Sequence, residues 1–335
     1  MDRTFVVGTR GSRLALAQTG LVVDALRAAH PGALFEVQEI TTQGDRDTKP
    51  LSEIGGQGVF TKAIEEALLR NEIDIAIHSM KDLPPRLTDG LVIAAVPKRG
   101  DARDVLVTKD GRTLADLPAG ARIGTGSARR AVQLKALCDR VRRLQGKPLD
   151  LASLDVEIRG NVDTRIRKVD EGQYDAIVLA MAGLVRLGLE GRAAQVFSVE
   201  EMVPSPGQGA LAVQVRANDA EAIALVRSVD HNETHAAITV ERAYLEALGA
   251  DCSMAVGAYA TVKDNIIESW WMATPDDAML VAHAVEDPRR HQDFDLRERA
   301  VAHGYGMAEW LEPGSDVGPP FSAIEDLVGG TRRES

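Results

Sequence analysis

Short apolar runs and longer amphipathic stretches alternate through the first hundred residues. Runs at 4–8, 34–40, 73–78 and 91–96 read as strands, whereas 12–29 and 58–71 repeat apolar residues at helical spacing. That order predicts a parallel-type α/β sheet, with ligands met at the carboxyl ends of its strands. A second series of the same kind follows: a strand at 105–108, strand 122–124 into helix 127–144, strand 155–159 into helix 162–171, and strand 176–180 into a short helix. Two similar doubly wound halves predict two domains facing a cleft. Beyond a Pro-Ser-Pro-Gly break at 204–207 comes a strand at 210–215, and the grammar then changes to helices at 220–229 and 234–248 and strands near 257–262, 267–274 and 279–285. The expected architecture is therefore two α/β domains around a cleft, similar to periplasmic binding proteins, plus a small α+β domain. Domain 1 is expected over 1–99 with 203–218, domain 2 over 103–199 and domain 3 over 220–312; the Gly-, Pro- and charge-rich stretch 313–335 reads as a tail.

Composition narrows the class. A chain of 335 residues, 44% hydrophobic and 27% charged, is long enough for two or three ordinary cores. Its N-terminus lacks the order of a signal peptide, and no apolar run approaches the ~20 residues of a membrane span. The two cysteines, Cys138 and Cys252, give neither a metal spacing nor a disulfide framework. A cytoplasmic protein without metal, membrane or nucleic acid is expected. Net charge is −11, yet residues 122–168 hold twelve Arg or Lys against five Asp or Glu, leaving −18 for the remainder. A basic tract in an acidic chain suggests a focused anion site rather than a general polyanion face; a solvated basic helix face accounts equally well for Arg140, Arg142 and Arg143.

Three junctions carry candidate chemistry. Gly8-Thr-Arg-Gly-Ser12 and Gly124-Thr-Gly-Ser-Ala-Arg-Arg130 each place hydroxyls and arginine where a helix begins, and free N–H donors there suit carboxylate or phosphate. Neither is a dinucleotide fingerprint, and Gly55–Lys62 lacks P-loop spacing. Lys81 and Asp82 follow a strand and should stand at the sheet edge over the cleft. Such a pair is commonly a solvated loop pair. In a cleft that gathers anions, however, a carboxylate is out of place unless it acts on a cation or a proton. Cys138 lies four residues from Leu134 on one helical face and reads as a packed hydrophobe, whereas Cys252 falls in a loop just past a helix end.

Taken together, Arg10-Gly-Ser-Arg-Leu-Ala-Leu-Ala-Gln18, Thr41-Thr-Gln-Gly-Asp45, His78-Ser-Met-Lys-Asp82, Gly124–Arg130, Arg159-Gly-Asn-Val-Asp-Thr-Arg165, Pro206-Gly-Gln-Gly-Ala210 and Cys252 resemble the hydroxymethylbilane synthase, or porphobilinogen deaminase, family from about residue 3 to about 262. The resemblance implies a three-domain transferase of tetrapyrrole and heme biosynthesis, with a monomer expected. It joins four porphobilinogen molecules into hydroxymethylbilane with loss of ammonia, primed by a dipyrromethane cofactor held through a thioether on Cys252. It also implies that Asp82 is the catalytic carboxylate, assisting loss of ammonia and stabilising an azafulvene-like intermediate. Arg10, Ser12, Lys81, Thr125, Ser127, Arg129, Arg130, Arg159, Arg165 and Arg186 become carboxylate holders, and Gln18 and Gln208 add hydrogen bonds. A growing chain of up to a dozen carboxylates accounts for arginines, whose planar fork grips and orients a carboxylate as lysine does not.

The chain departs from the family in its cysteine loop. Ala250-Asp251 stand where Gly-Gly is usual, Ala255 replaces a proline, and Gln57 takes a position that is often lysine in bacterial members. A negative charge beside the thiol is expected to raise its pKa and slow attachment, and loss of the proline to loosen the loop. Two other readings stay open on residues alone. One is a cleft-type anion-binding protein without catalysis, the other a degenerate synthase impaired in cofactor loading.

Overall fold

The computed structural model describes residues 3–42, 44, 58–145, 153–155, 158–249, 254–274, 279–286 and 296–311. Cys252, Gln57, Ala250, Asp251 and the tail from 312 onward lie outside them.

The first sheet comprises β1 (Thr4–Thr9), β2 (Leu34–Glu39), β3 (Ile75–Ser79), β4 (Leu91–Ala95) and, from far along the chain, β10 (Leu211–Arg216), in the order β2-β1-β3-β10-β4. Helix α1 (Arg13–Ala29) buries Val22, Val23 and Leu26 against Phe5, Val7 and Ile75, the stripe that its sequence spacing predicts. Helix α2 (Lys62–Leu69) covers the other face with Ile64 and Leu68. It starts four residues later than expected, after Gly58 at φ +90° turns the chain.

The second sheet repeats the plan with β5 (Asp104–Thr108), β6 (Arg122–Gly124), β7 (Ser153–Asp155), β8 (Ala176–Ala180) and β9 (Ala193–Val196), ordered β7-β6-β8-β5-β9. Helices α3 (Ala128–Gln145), α4 (Val162–Asp170) and α5 (Met181–Arg186) flank it. Strand β7 starts two residues before the expected 155–159, and of that expectation 156–157 lie outside the described residues while 158–159 belong to no strand.

Neither sheet is wholly parallel, which corrects the sequence-based expectation. β10 runs antiparallel between β3 and β4, and β5 runs antiparallel between β8 and β9. In each case the strand lies next to a crossing from one domain to the other, and the chain enters the sheet from the opposite end. An apolar run reads the same in either direction, so the pattern cannot reveal this.

Helix α6 (Ala220–Val226), capped by Asp219, ends in a short 3₁₀ turn rather than running on to 229. Helix α7 (Asn232–Ala247) and α8 (Leu296–Leu311) then pack on the antiparallel sheet β11 (Val256–Lys263), β12 (Ile266–Ala273), β13 (Leu280–Val285) around Tyr244 and Trp271. These two α/β domains and the C-terminal domain meet where the chain crosses between sheets, at 96–103 and 197–210.

Candidate active site

Helix starts and strand ends meet between the two α/β domains. Ser12 caps α1 by accepting from the Ala15 N–H at 3.2 Å. One residue on, Arg13 Nη1 reaches across to Asp163 in the first turn of α4 at 3.0 Å. A Cβ on Gly126, just before α3, would stand 3.7 Å from the Arg165 guanidinium of α4. The N-termini of α1, α3 and α4 therefore converge, each with its free N–H groups and positive dipole end.

Asp82 closes a single 3₁₀ turn, Met80–Asp82, directly beyond β3. The turn is held from below: Met80 N–H donates to Ala210 O, Leu83 N–H closes on Met80 O, and Met80 and Leu83 are buried with Val96, Ala212 and Ile238. Gly207, at φ +74°, presses so close that a Cβ there would lie 2.6 Å from Met80 Cγ. Asp82 itself is half-buried, and its carboxylate makes no hydrogen bond or ion pair with any described residue. It is thus anchored by its backbone and left open at its side chain.

Lys81 points the other way, donating to Gln208 Oε1 at 3.5 Å. Desolvation by the surrounding walls, then the nearby Arg130, lowers its pKa to about 8 against the pull of Asp82 and Asp104; water at this exposed side chain moderates the shift. Gln208 is fully buried. Its Nε2 donates to Ala102 O at 2.7 Å and to Asp104 at 2.9 Å, and its Oε1 also accepts from Arg130 at 3.3 Å.

The paired arginines at the start of α3 turn inward. Arg129 and Arg130 are 4% and 6% exposed, and both bind Asp104, at 2.8 Å and 2.7 Å. Arg129 Nη1 also donates to Val203 O and Arg130 Nη1 to Val178 O. Burial alone would raise the Asp104 carboxyl, but the two guanidinium groups outweigh it and hold it below its ordinary value. One carboxylate between two cations leaves this wall positive. The sequence reading missed Asp104 because nothing marks it in Arg103-Asp104; only its place at the start of a fully buried strand distinguishes it.

Three further arginines stand closer to the open space. Among the described residues Arg165 donates to Gly160 O, at 2.7 Å, and burial, then Arg130 and Arg159, lower its pKa to about 10. Arg186 donates to Gly209 O at 2.6 Å and is lowered to about 10 by burial. Arg159 is half-buried and its side chain binds no described residue. Among the described residues these cations are held by backbone carbonyls or by no partner, and Arg159 repels Arg165; a polycarboxylate ligand relieves that state. Arg10 lies over the Phe60 ring at 4.1 Å. Thr125 is buried and accepts from Ser127 N–H, Ser127 Oγ accepts from Arg130 N–H, and Gln18 is buried on α1. The structure thus gathers Lys81, Asp82, Arg130, Arg159, Arg165 and Gln208, places Arg186 beside Gly209, and sets Arg129 and Arg130 behind the wall. Cys138 is buried, and burial pushes its thiol up to about 12, which makes it inert as a nucleophile.

Two α/β domains over a cation-lined cleft, with a third domain packed on their crossings, define a cleft-type α/β protein built to hold anions. A family model described as "Porphobilinogen deaminase, dipyromethane cofactor binding domain" matches residues 5–224. The porphobilinogen deaminase of Brevibacillus brevis is 46% identical over 91% of this chain and 97% of its own. Porphobilinogen deaminase 1 of Streptomyces coelicolor is 49% identical over 94% and 97%, and that of Roseiflexus sp. 49% over 84% and 89%. The chain belongs to the porphobilinogen deaminase family. Among solved structures, the methionine binding protein MetQ covers 68% of this chain and 89% of its own at 13% identity with a TM-score of 0.39, too weak a likeness to bear on this chain.

Proposed function

We propose that Asp82 is the carboxylate on which this chain's chemistry turns and that the cations around it hold the carboxylates of substrate and growing product. As a member of its family, the chain condenses four porphobilinogen molecules into the linear tetrapyrrole hydroxymethylbilane, with one ammonia released for each. A bound dipyrromethane supplies the free ring position at which the first substrate is joined. The donor set fits that group: Arg159, Arg165, Arg186 and Lys81 have no described carboxylate of their own within hydrogen-bonding reach, while a dipyrromethane and each added pyrrole bring acetate and propionate. Cys252, the proposed anchor, lies outside the described residues.

The observation that carries this reading is the open carboxylate of Asp82 among cations. Every described neighbour that could neutralise it is either engaged elsewhere or needed for anions. A pyrrole N–H can donate to it, and its charge offsets the positive charge that develops on the ring as the aminomethyl nitrogen departs and again as the new carbon–carbon bond forms. Arg159, Arg165, Arg186 and Lys81 hold the carboxylates, with Arg10, Ser12, Thr125 and Ser127 as further holders and Gln18 and Gln208 supporting. Arg129 and Arg130 act from behind, through charge and by fixing the wall. In the same reading the domains are 1–99 with 203–218, 103–199 and 220–312. The protein works as a cytoplasmic monomer without metal or nucleic acid, in keeping with a charge of −18 outside one focused basic tract.

Asp82→Asn tests it. The amide keeps the size and much of the hydrogen bonding but not the charge, and loss of one such electrostatic group costs on the order of 10²–10³ in turnover. The expected protein folds, carries its cofactor and binds porphobilinogen, but turns over at least a hundredfold more slowly. A drop of only a few-fold in protein whose cofactor loading is confirmed by mass removes Asp82 from this role.

A further inference from the structure

The chain leaving the Asp82 turn is pinned at its ends, by buried Leu83 and by the Thr88 hydroxyl donating to Glu65 at 2.9 Å, and the stretch between is irregular. Pro84 and Pro85 follow at once, and proline has no N–H to give. Residues 83–88 belong to no helix or strand. Behind the segment lies a cavity of about 540 Å³, lined by Met80, Pro85 and Leu87 on one side and by Ile238, Ala243 and Tyr305 of the C-terminal domain on the other, so packing supports this side weakly. The segment's backbone carbonyls need donors. Two of them, Pro84 O and Pro85 O, accept from a single side-chain nitrogen, Arg242 Nη2, at 2.8 Å and 2.7 Å.

We propose that Arg242 is a positioning residue for Asp82: from helix α7 it clamps the carbonyls of Pro84 and Pro85 and thereby fixes the turn that presents the catalytic carboxylate. The inference rests on Asp82 having that role. Arg242 is set apart from ordinary surface arginines by its environment, since burial lowers its pKa and the nearby Glu246 offsets this only in part. Glu246 is itself bound by Arg86 at 3.2 Å, in the same segment, so the pair adds a second, exposed tie rather than a partner for Arg242. A half-buried guanidinium spent on two carbonyls of an irregular segment is costly to keep unless their position matters. The clamp also links the C-terminal domain, which bears the cofactor cysteine in the proposed function, to the carboxylate that acts on the growing chain.

The test is steady-state kinetics on holoenzyme whose cofactor loading is verified by intact mass. Misplacing a catalytic group by about 1 Å can cost up to 10²-fold, and Arg242→Met is expected to lower kcat about tenfold with KM and loading unchanged. Arg242→Lys, which keeps one donor head, recovers most of that loss. Val240→Ala trims the core of the same helix without touching the turn; it lowers stability and leaves kcat alone. On an Asp82→Asn background Arg242→Met adds nothing, because there is no longer a carboxylate to position. Wild-type kcat in Arg242→Met, or a loss fully additive with Asp82→Asn, overturns the inference while leaving the role of Asp82 intact. Near-normal turnover in Asp82→Asn alone overturns that role instead. If Arg242→Met does not fold, Arg242→Gln is judged by the same outcomes.

Discussion

Arg165 and Arg129 stand in neighbouring motifs and carry the same charge, yet one meets a lone carbonyl at the cleft and the other a buried carboxylate. The motifs made both of them candidates, and sequence alone had no means of separating them, because direction depends on Asp104 arriving from another strand. Asp82 was legible for a different reason: a charged residue directly after an apolar strand has to emerge at a sheet edge. The C-terminal domain carries a further clue of this kind. Glu241 sits four residues after Ala237 and three before Tyr244, on an apolar helical stripe, and there it is fully buried, bound to Arg99 and to the N–H groups of Gly207 and Ala260. The separation of roles among arginines is measurable. Arg159→Leu and Arg165→Leu each remove a carboxylate holder, and a hydrogen bond to a charged group contributes about 1.5–3 kcal/mol, so kcat/KM for porphobilinogen should fall about tenfold to a hundredfold. Arg140→Leu and Arg143→Leu, on the exposed face of α3, should change it by less than about twofold. Equal losses in both pairs would contradict this division.

The 3₁₀ turn that carries Asp82 depends on β3 beneath it, and β3 in turn on a buried polar chain. His78 pairs with Gln214 Oε1 at 3.1 Å, Gln214 Nε2 donates to Glu65 at 2.8 Å, and Thr88 donates to the other Glu65 oxygen at 2.9 Å. This chain joins β3, β10, α2 and the segment beyond Asp82. Burial drives the His78 pKa from 6.5 to about 4, the hydrogen bond to Gln214 opposing it only weakly. The folded protein therefore refuses a proton that the unfolded chain accepts. Stability is full above pH 6.5 and is lost as the pH falls from there to about 4, by about 3 kcal/mol at most for this residue. His78→Gln should flatten that part of the acid limb in a series of thermal melts; an unchanged acid limb would show that His78 does not titrate this way. The elements themselves were largely readable, since periodicity marked most strands and helices close to their observed limits. Strand direction was not, as β5 and β10 show, nor was the side-chain chain under β3, whose members lie up to 149 positions apart.

At the scale of the whole molecule the three domains share one polar hub. Arg99, 10% exposed at its side chain, binds Glu241 through both terminal nitrogens, donates to Gln208 O and lies over the Tyr259 ring, so both crossings between the α/β domains are tied to the C-terminal domain. Gln208 continues the hub to Lys81 on one side and Asp104 on the other. The proposed function requires a primer on the third domain to work in a cleft made by the other two, and this hub ties that domain to both crossings beside the cleft. Three units were legible from the change of pattern along the chain, but the hub was not, because its parts come from widely separated stretches. The claim that unites these scales is that the cleft works on a covalent primer held by Cys252. Intact mass of the chain purified from cells supplied with porphobilinogen tests it most directly. The account predicts a mass above that of the sequence by one dipyrromethane unit, lost in Cys252→Ala and kept in Cys138→Ala; an unmodified wild-type mass under those conditions would contradict it and favour a synthase that Asp251 and Ala255 have left unable to load its cofactor.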